Sequence, residues 1–226
     1  MPSIYANTND GYVGKSNSNW ATTRDATSGT FANSTLTAYA FGARSDVVAG
    51  RGGGSTYTVV RSFMFFDTSG ISSDVQSATL KIYGISNGTG DIIIVKATSD
   101  IATIGTADFN AITGWSTGSA DGSGAGDNES NVTKYSAEIA TWSTSGYNDI
   151  TLTSTALTDM RDDNYLYICF MNYDYDLKDI APTGTNRNGL YFANYTGTSR
   201  DPYIDYTLAP TVSDNSVFFG TNFWDL

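Results

Sequence analysis

The residue types that could perform chemistry in this chain are few, because its 226 residues include no histidine and one cysteine, Cys169. A Ser-His-Asp triad, a Cys–His pair, a histidine-ligated metal and an internal disulfide are therefore excluded. Catalysis would have to rest on carboxylates, tyrosine, lysine or arginine. The clearest carboxylate pair is Asp174 and Asp176, which share one face of an extended segment and could then support glycoside hydrolysis. We favour an acidic loop here and expect that the protein is not an enzyme.

Carboxylates in loops could also bind a hard cation, since calcium prefers oxygen ligands. The most ligand-rich segment is 121–129, in which Asp121, Asp127 and Glu129 stand among glycine, serine and asparagine. Its spacing does not fit an EF hand, because the bidentate glutamate at position 12 is missing. The segment is therefore a candidate structural calcium site, and the alternative is a solvated surface loop. No other cofactor is expected.

Aromatic side chains flanked by polar residues could bind sugars, because an apolar sugar face stacks on an aromatic ring. Five residues fit this description: Trp20, Trp115, Trp142, Tyr173 and Tyr175. The alternative is strongest for Trp115 and Trp142, whose strand-like surroundings also suit a place in the core. Sugar binding is thus a candidate activity at these rings.

The charge balance excludes one class of partner. The chain carries 23 acidic and 12 basic residues, a net charge of −11. Nucleic acids are bound by clustered lysine and arginine, so a nucleic-acid partner is not expected. No apolar run approaches the ~20 residues of a membrane span, so membrane insertion is not expected either. No signal peptide is visible at the N-terminus, which suggests assembly in the cytoplasm or prior removal of a signal.

The elements that would position these residues are mainly strands, because turn formers and strand formers abound while glutamate, lysine and glutamine are scarce. Alternating or continuous apolar patterns predict strands over 35–43, 56–66, 75–83, 91–97, 135–142, 148–152, 165–172, 189–194 and 202–208. One short helix is predicted over 154–162, capped by Ser154. About nine or ten strands without βαβ alternation predict an all-β fold, a single β-sandwich of the jelly-roll type.

The order of these strands resembles that of a known family. Residues 61–69 (RSFMFFDTS) are followed by 75–83 (VQSATLKIY), which is similar to the central block of the DNRLRE-type domain. The opening segment 10–13 (DGYV) resembles the family's first strand. The segments 189–194 (GLYFAN) and 201–206 (DPYIDY) resemble its closing hairpin. The resemblance covers roughly residues 8–208.

The resemblance implies a carbohydrate-binding-module-like β-jelly roll, as found in secreted bacterial and archaeal surface proteins and in phage structural proteins. It implies no catalytic residues. Ala193 and Tyr195 stand where the family usually has serine and glutamate. Independently, the residue pattern places Phe63, Phe65, Phe66, Ala78, Leu80 and Ile82 in the core and puts Arg61 and Asp67 at the solvated ends of their strand. Cys169, between Ile168 and Phe170, is expected to be a buried, inert thiol.

We therefore expect a jelly-roll domain over 1–209 and a C-terminal tail over 210–226. Four aromatic residues of the tail are candidate anchors for other virion proteins or for copies of the same chain: Phe218, Phe219, Phe223 and Trp224. The alternative is that the tail folds back as a last strand.

The expected function is a non-catalytic structural or attachment protein on a bacteriophage virion surface, as capsid decoration or in the tail, that also binds surface glycans. Supporting this, the domain begins close to Met1 and no catalytic domain is attached to it. The alternative is an extracellular carbohydrate-binding module of a secreted polysaccharide-degrading protein.

Overall fold

The computed structural model describes residues 1–51, 53–98 and 103–210. Within them the chain forms eleven strands: β1 (Ser3–Tyr5), β2 (Gly11–Asn17), β3 (Phe31–Asn33), β4 (Ala38–Ala49), β5 (Ser55–Asp67), β6 (Val75–Asn87), β7 (Ile92–Lys96), β8 (Tyr147–Thr151), β9 (Tyr165–Asn172), β10 (Arg187–Tyr191) and β11 (Tyr203–Leu208). The helices are α1 (Trp20–Arg24), α2 (Ser154–Asp162), a 3₁₀ helix (Thr106–Asn110) and a π-helical turn (Tyr173–Leu177). The predicted all-β class is confirmed. The tail residues Phe218, Phe219, Phe223 and Trp224 lie outside the described residues.

The described strands pair antiparallel in the order β1-β11-β6-β10-β4-β5-β2-β3, with β8 beside β6, and with β9 and then β7 beside β5. The sheet folds over on itself and so forms two layers. Its longest strands are β4, β5 and β6. The layer of β6, β8 and β11 thereby lies over the layer of β5, β7 and β9. Side chains of both layers, such as Leu80 and Met64, share one buried cluster, as in a β-sandwich.

Strand β5 contributes to two separate cores because its side chains alternate between the faces of the sheet. Val60, Met64 and Phe66 enter the cluster between the two layers. Phe63 and Phe65 enter a second cluster on the opposite face, which is covered by α1, the 3₁₀ helix and the loops that follow β7 and β9. Phe63, Phe65 and Phe66 are all buried as expected, but they serve two cores rather than one.

Three local expectations are corrected by the structure. Arg61 is fully buried instead of solvated, because it occupies the same face of β5 as Phe63. Residues 135–142 form no strand; they contact β7 through an isolated bridge at Ile139 and through the Tyr135 and Ser136 amides, which donate to the Ile94 carbonyl at 2.9 and 3.2 Å. The predicted helix 154–162 is confirmed, but Thr153 is its N-cap, since that residue is extended and its hydroxyl accepts a hydrogen bond from the Ala156 amide. No helix of the described part is long and apolar enough to span a membrane.

Candidate functional site

Trp20 and Trp142 are two of the three buried rings among the five that were predicted to bind sugar. Trp20 is 4% exposed, and its Nε1 donates to Asp179 Oδ1 at 2.7 Å. Trp142 is 5% exposed, and its Nε1 donates to the Gly189 carbonyl at 3.0 Å. The N–H group of each indole therefore makes its hydrogen bond inside the protein, and neither buried ring offers a stacking face to a ligand. For Trp142 this is the core position that the sequence left open as the alternative. The burial of Trp20 was not predicted, because flanking polar residues do not reveal which layer covers a ring.

The other three predicted rings pack against the second core. Tyr173 is buried; its hydroxyl donates to Glu129 Oε1 at 2.9 Å, and Lys178 Nζ lies 4.0 Å from its ring centroid. Trp115 is half-buried, with the Arg61 guanidinium carbon 4.1 Å from its ring centroid. Tyr175 is also half-buried against this cluster. All three rings pack against the second core, and no ring–ring contact joins any two of them.

The carboxylate pair suggested by the sequence is separated by the π-helical turn that contains it. Both side chains of the Arg61–Asp176 ion pair are fully buried, with hydrogen bonds of 2.8 Å from Nε and 2.7 Å from Nη2. Asp174 points elsewhere and accepts a hydrogen bond from the Asp91 amide at 2.8 Å. The two carboxylates therefore cannot flank one glycosidic bond, and Asp176 is a structural residue.

The predicted calcium loop is organised by hydrogen bonds within the chain. Asp121 Oδ1 accepts from the Ser123 amide at 2.8 Å, and Asp127 Oδ1 accepts from the Glu129 amide at 2.6 Å. Glu129 Oε1 accepts from Lys134 Nζ at 3.0 Å, and this bond lowers the pKa of Glu129. Among the described residues, these three carboxylates do not converge on one point. The loop instead closes around the buried carboxylate of Asp179, to which the amides of residues 121, 122 and 126 donate.

Six tyrosine rings form a continuous row on the outer face of the β6–β8–β11 layer and the adjoining loop. We call this row the tyrosine strip; its members are Tyr5, Tyr203, Tyr147, Tyr83, Tyr191 and Tyr195, in order along the row. Each ring contacts the next, with centroid distances of 5.3, 5.1, 5.3, 5.4 and 5.1 Å. Tyr5 is exposed and the other five are half-buried. The strip is the most extended aromatic surface of the described residues.

Strand register creates the strip. In β6, Ala78, Leu80 and Ile82 point into the core, so Tyr83 points outward. Tyr83 is paired with Tyr147 across the β6–β8 ladder, and Tyr203 is paired with Tyr5 across the β11–β1 ladder. The sequence contains this alternation in each strand, but it does not state which strands are neighbours.

Arg200 lies against the end of the tyrosine strip. Its guanidinium carbon is 4.7, 5.1 and 5.2 Å from the ring centroids of Tyr191, Tyr195 and Tyr83, and it donates a hydrogen bond to the Tyr191 hydroxyl. None of the ion pairs formed by the described residues includes Arg200. The guanidinium thus orders the rings beneath it and keeps donors for a ligand.

Two hydroxyls of the strip, those of Tyr147 and Tyr203, have a raised pKa and are protonated near neutral pH. Burial, with the neighbouring Tyr203 and Asp201, raises the pKa of Tyr147 to about 12. Burial, followed by the charge of Asp205, also raises the pKa of Tyr203. At the margin of the strip Lys81 Nζ donates to Asp149 Oδ2 at 2.7 Å. The hydroxyls of Tyr83 and Tyr147 donate to the carbonyls of Ser145 and Asp201, at 3.1 and 3.2 Å. Their oxygens keep lone pairs that can accept a hydrogen bond.

A second feature is a group of three carboxylates, Asp91, Glu138 and Asp174, whose nearest oxygens all lie within 4.8 Å of one another. Asp91 and Asp174 line a cavity of about 350 Å³. A hydrogen bond with Asp91, followed by burial, raises the pKa of Glu138. In the part of the chain that the structure describes, no other group of three acidic residues converges in this way.

No protein-family model matches the chain, and no curated protein sequence matches it. The similarity of residues 8–208 to the DNRLRE-type domain therefore remains a resemblance of motifs. The candidate function has to follow from the side chains themselves, and among the described residues the tyrosine strip and the three-carboxylate group are two arrangements to consider.

Proposed function

We propose that this chain is a non-catalytic attachment protein that binds carbohydrate through the tyrosine strip. The observation that carries the proposal is the row of six contacting tyrosine rings on one side of the sandwich, of which Tyr5 is exposed and the other five are half-buried. Sugars present an apolar ring face edged by hydroxyls, so they match a surface that combines aromatic faces with hydrogen-bonding groups.

The shape of the strip favours a chain of sugars over a single one. The rings follow one another across β11, β8 and β6 into the loop that holds Tyr195. Each ring also holds its neighbour by edge or tilted contacts, so little side-chain freedom is lost when a ligand binds. Four of the five neighbouring pairs are nearly perpendicular, with interplanar angles of 75–88°. A polysaccharide or oligosaccharide laid along the strip would therefore meet ring faces and ring edges in turn, and the weak contacts with several rings would add up.

The biological setting that we propose is the exterior of a bacteriophage particle, in capsid decoration or in the tail, with other virion proteins or copies of this chain as partners. The DNRLRE-type resemblance, which includes phage structural proteins, supports it. A carbohydrate-binding module of a secreted polysaccharide-degrading protein is the alternative and uses the same strip. Mass spectrometry of purified particles distinguishes the two, because the alternative predicts that the chain is found in culture medium as part of a longer polypeptide.

Affinity electrophoresis against a panel of soluble polysaccharides tests the binding activity, followed by calorimetry with any glycan that retards the protein. Alanine at Tyr83, Tyr147 or Tyr203 should each weaken binding about fivefold, since one stacked ring contributes about 1 kcal/mol. Tyr83→Phe should keep most of the affinity, because the ring face remains. Thermal melts of each variant verify that the sandwich is folded.

Tyr165→Ala is the matched control, since Tyr165 is 42% exposed but lies outside the strip. Its affinity should equal that of the unmodified protein. Retained binding in the three strip variants, with loss in Tyr165→Ala, would move the site away from the strip. Failure of every glycan in the panel to bind would overturn the proposed function.

A further inference from the structure

We propose that the buried carboxyl groups of Asp10 and Asp201 control the Arg200 end of the tyrosine strip, holding it in place while Asp10 is protonated and releasing it when Asp10 ionises. We call these two groups the carboxyl latch. The latch is a positioning device, since neither group is a member of the strip. Its effect on sugar binding rests on the proposed function, whereas the release itself is measured without a sugar.

Asp10 is attached directly to the segment that carries the end of the strip. It immediately precedes β2, and its Oδ2 accepts a hydrogen bond from the Ala193 amide at 2.8 Å. In the sequence Ala193 lies between Tyr191 and Tyr195, the last two rings of the row. A movement at Asp10 would therefore reach the segment of both rings through one hydrogen bond.

Asp201 is attached to the strip from the other side. It follows Arg200 in the chain, and its carbonyl accepts a hydrogen bond from the Tyr147 hydroxyl at 3.2 Å. The carbonyl of the next residue, Pro202, accepts from the Ala6 amide at 2.9 Å. The stretch that carries the guanidinium is thus anchored both to a ring of the strip and to the segment that leads into β2.

Neither carboxyl group has a partner that would stabilise its charge. Asp10 is fully buried and Asp201 is 7% exposed, and the Oδ1 atom of each has no hydrogen-bond partner among the described residues. None of the ion pairs in the described part of the chain includes either residue. A buried acid without a cation or enough donors stays protonated unless the surrounding structure opens. Burial accordingly raises the pKa of Asp10 to about 7, although the Ala193 hydrogen bond opposes the shift.

The charged groups near Asp10 do not relieve this cost. The charge of Asp201 raises the pKa of Asp10 further. Asp67, at the end of β5, is exposed and accepts from the hydroxyl and amide of Ser69. The guanidinium of Arg200 lies against tyrosine rings. Among the described residues, the other titratable groups on the segments packed around Asp10 are the phenols of Tyr5, Tyr12, Tyr191, Tyr195 and Tyr203.

Ionisation of Asp10 should therefore loosen the segment 193–201. Water has to reach the unpartnered Oδ1 atom, and the segment bonded to Asp10 carries Tyr195 and Arg200. The guanidinium carbon then leaves its position 4.7–5.2 Å from three ring centroids, and the end of the strip loses its order. The closed form keeps the Asp10 proton and the opened form loses it. The opening equilibrium should therefore rise by up to about tenfold per pH unit between about pH 4 and pH 7, and it should be constant above pH 7.

Amide hydrogen exchange tests the latch without a sugar. The reporters are the amides of Ala193 and Tyr195, which donate to Asp10 Oδ2 and to the Phe192 carbonyl. After correction for the intrinsic pH dependence of exchange, their protection should fall at least tenfold between pH 5 and pH 8. Amides of strand β9 should stay more protected than these reporters at both pH values. Equal protection of β9 and the reporters would overturn the proposal, because Asp10 would then ionise only on global unfolding.

Three variants separate the latch from other carboxylates. Asp10→Asn keeps an acceptor for the Ala193 amide and cannot ionise, so the protection of the reporters should be constant from pH 5 to pH 8. Asp201→Asn removes a repelling charge, so the fall in protection should be complete at a lower pH than in the unmodified protein. Asp149→Asn, at the exposed margin of the strip, is the matched control and should keep the pH dependence of the unmodified protein. The same fall in Asp10→Asn as in the unmodified protein would overturn the proposal.

Sugar binding provides the second measurement. For a neutral glycan that binds at pH 5, the affinity should fall at least threefold by pH 8 in the unmodified protein and should be constant in Asp10→Asn. An affinity that is constant in both proteins, or that falls equally in both, would show that the latch does not control the strip. If no glycan binds at pH 5, where the strip is complete, the proposed function fails, and the exchange measurement still decides whether the latch exists.

Discussion

Replacing the buried Asp10 with asparagine should remove a pH-dependent loss of stability. Asp10 is fully buried; its Oδ2 accepts from the Ala193 amide at 2.8 Å, and its Oδ1 has no hydrogen-bond partner among the described residues. Burial raises the pKa of Asp10 to about 7; the Ala193 hydrogen bond opposes this shift, and the charge of Asp201 adds to it. Asp201 is itself 7% exposed and also has an unpartnered Oδ1.

The direction in which stability changes with pH follows from the number of protons that the folded and unfolded states bind. Between about pH 4 and pH 7 the folded protein keeps the Asp10 proton while the unfolded chain has released it, so stability falls as the pH rises through this window. The shift is from 3.8 to about 7, and each pKa unit is worth about 1.4 kcal/mol. The loss from this residue is therefore at most about 4 kcal/mol, complete above pH 7.

Urea unfolding of the unmodified protein and of Asp10→Asn, at intervals from pH 4 to pH 8, measures the effect. The asparagine keeps an acceptor for the Ala193 amide and carries no charge. We expect the free energy of unfolding of the variant, relative to the unmodified protein, to rise by about 2–4 kcal/mol between pH 4 and pH 8. Using the difference between the two proteins cancels the titration of the other carboxylates.

Asp67→Asn provides a control of opposite sign. Hydrogen bonds from Ser69 lower the pKa of Asp67, so the stability that Asp67 contributes is present above its unfolded pKa and is lost in acid. Asp67→Asn should therefore lose stability relative to the unmodified protein as the pH rises from about 2 to about 4, so its melts start near pH 2. Above about pH 5 the difference between the two proteins should be constant. A difference between Asp10→Asn and the unmodified protein that stays constant from pH 4 to pH 8 would refute the reasoning about Asp10.

Two further predictions concern the cores. Replacing Phe63, Phe65, Leu80 or Ile82 with alanine should lower the free energy of unfolding by about 2–5 kcal/mol in each case, through lost burial and a residual cavity. If urea melts gave a loss of less than about 1 kcal/mol for all four variants, the strand faces would be misassigned. Arg61→Met should cost about 3–5 kcal/mol, because it leaves the buried carboxylate of Asp176 uncompensated. Adding Asp176→Asn to Arg61→Met should recover part of that loss in the same melts, and no recovery would argue against an ion pair.

Local patterns predicted the elements that depend on neighbouring residues. The alternation of Ala78, Leu80 and Ile82 predicted both β6 and its inward face, and the apolar run through Ile92–Val95 predicted β7. Helix α2 was predicted with its observed bounds. The segment 135–142 shows where prediction from local patterns fails. Its pattern is typical of a strand, but the segment packs beside β7 without joining the sheet.

The candidate sites were not predictable in this way, because each combines residues that are distant in the chain. Tyr5 and Tyr203 come together through the β1–β11 pairing, and Asp91 and Asp174 through the β7–β9 pairing. A signal existed for the strip in the outward positions of β6, β8 and β11. It becomes a surface only when the order of the strands is known.

The sequence by itself determined the fold class and the limits of the chemistry. Residue periodicity is a property of each segment, and the absence of histidine holds for any fold. Only the tertiary structure decided that Arg61 is buried against Asp176, that Trp20 and Trp142 are core residues, and which carboxylates converge. The physical reason is that burial and electrostatics depend on which other strand or loop covers a residue. That arrangement is determined by pairing between strands that lie far apart in the sequence.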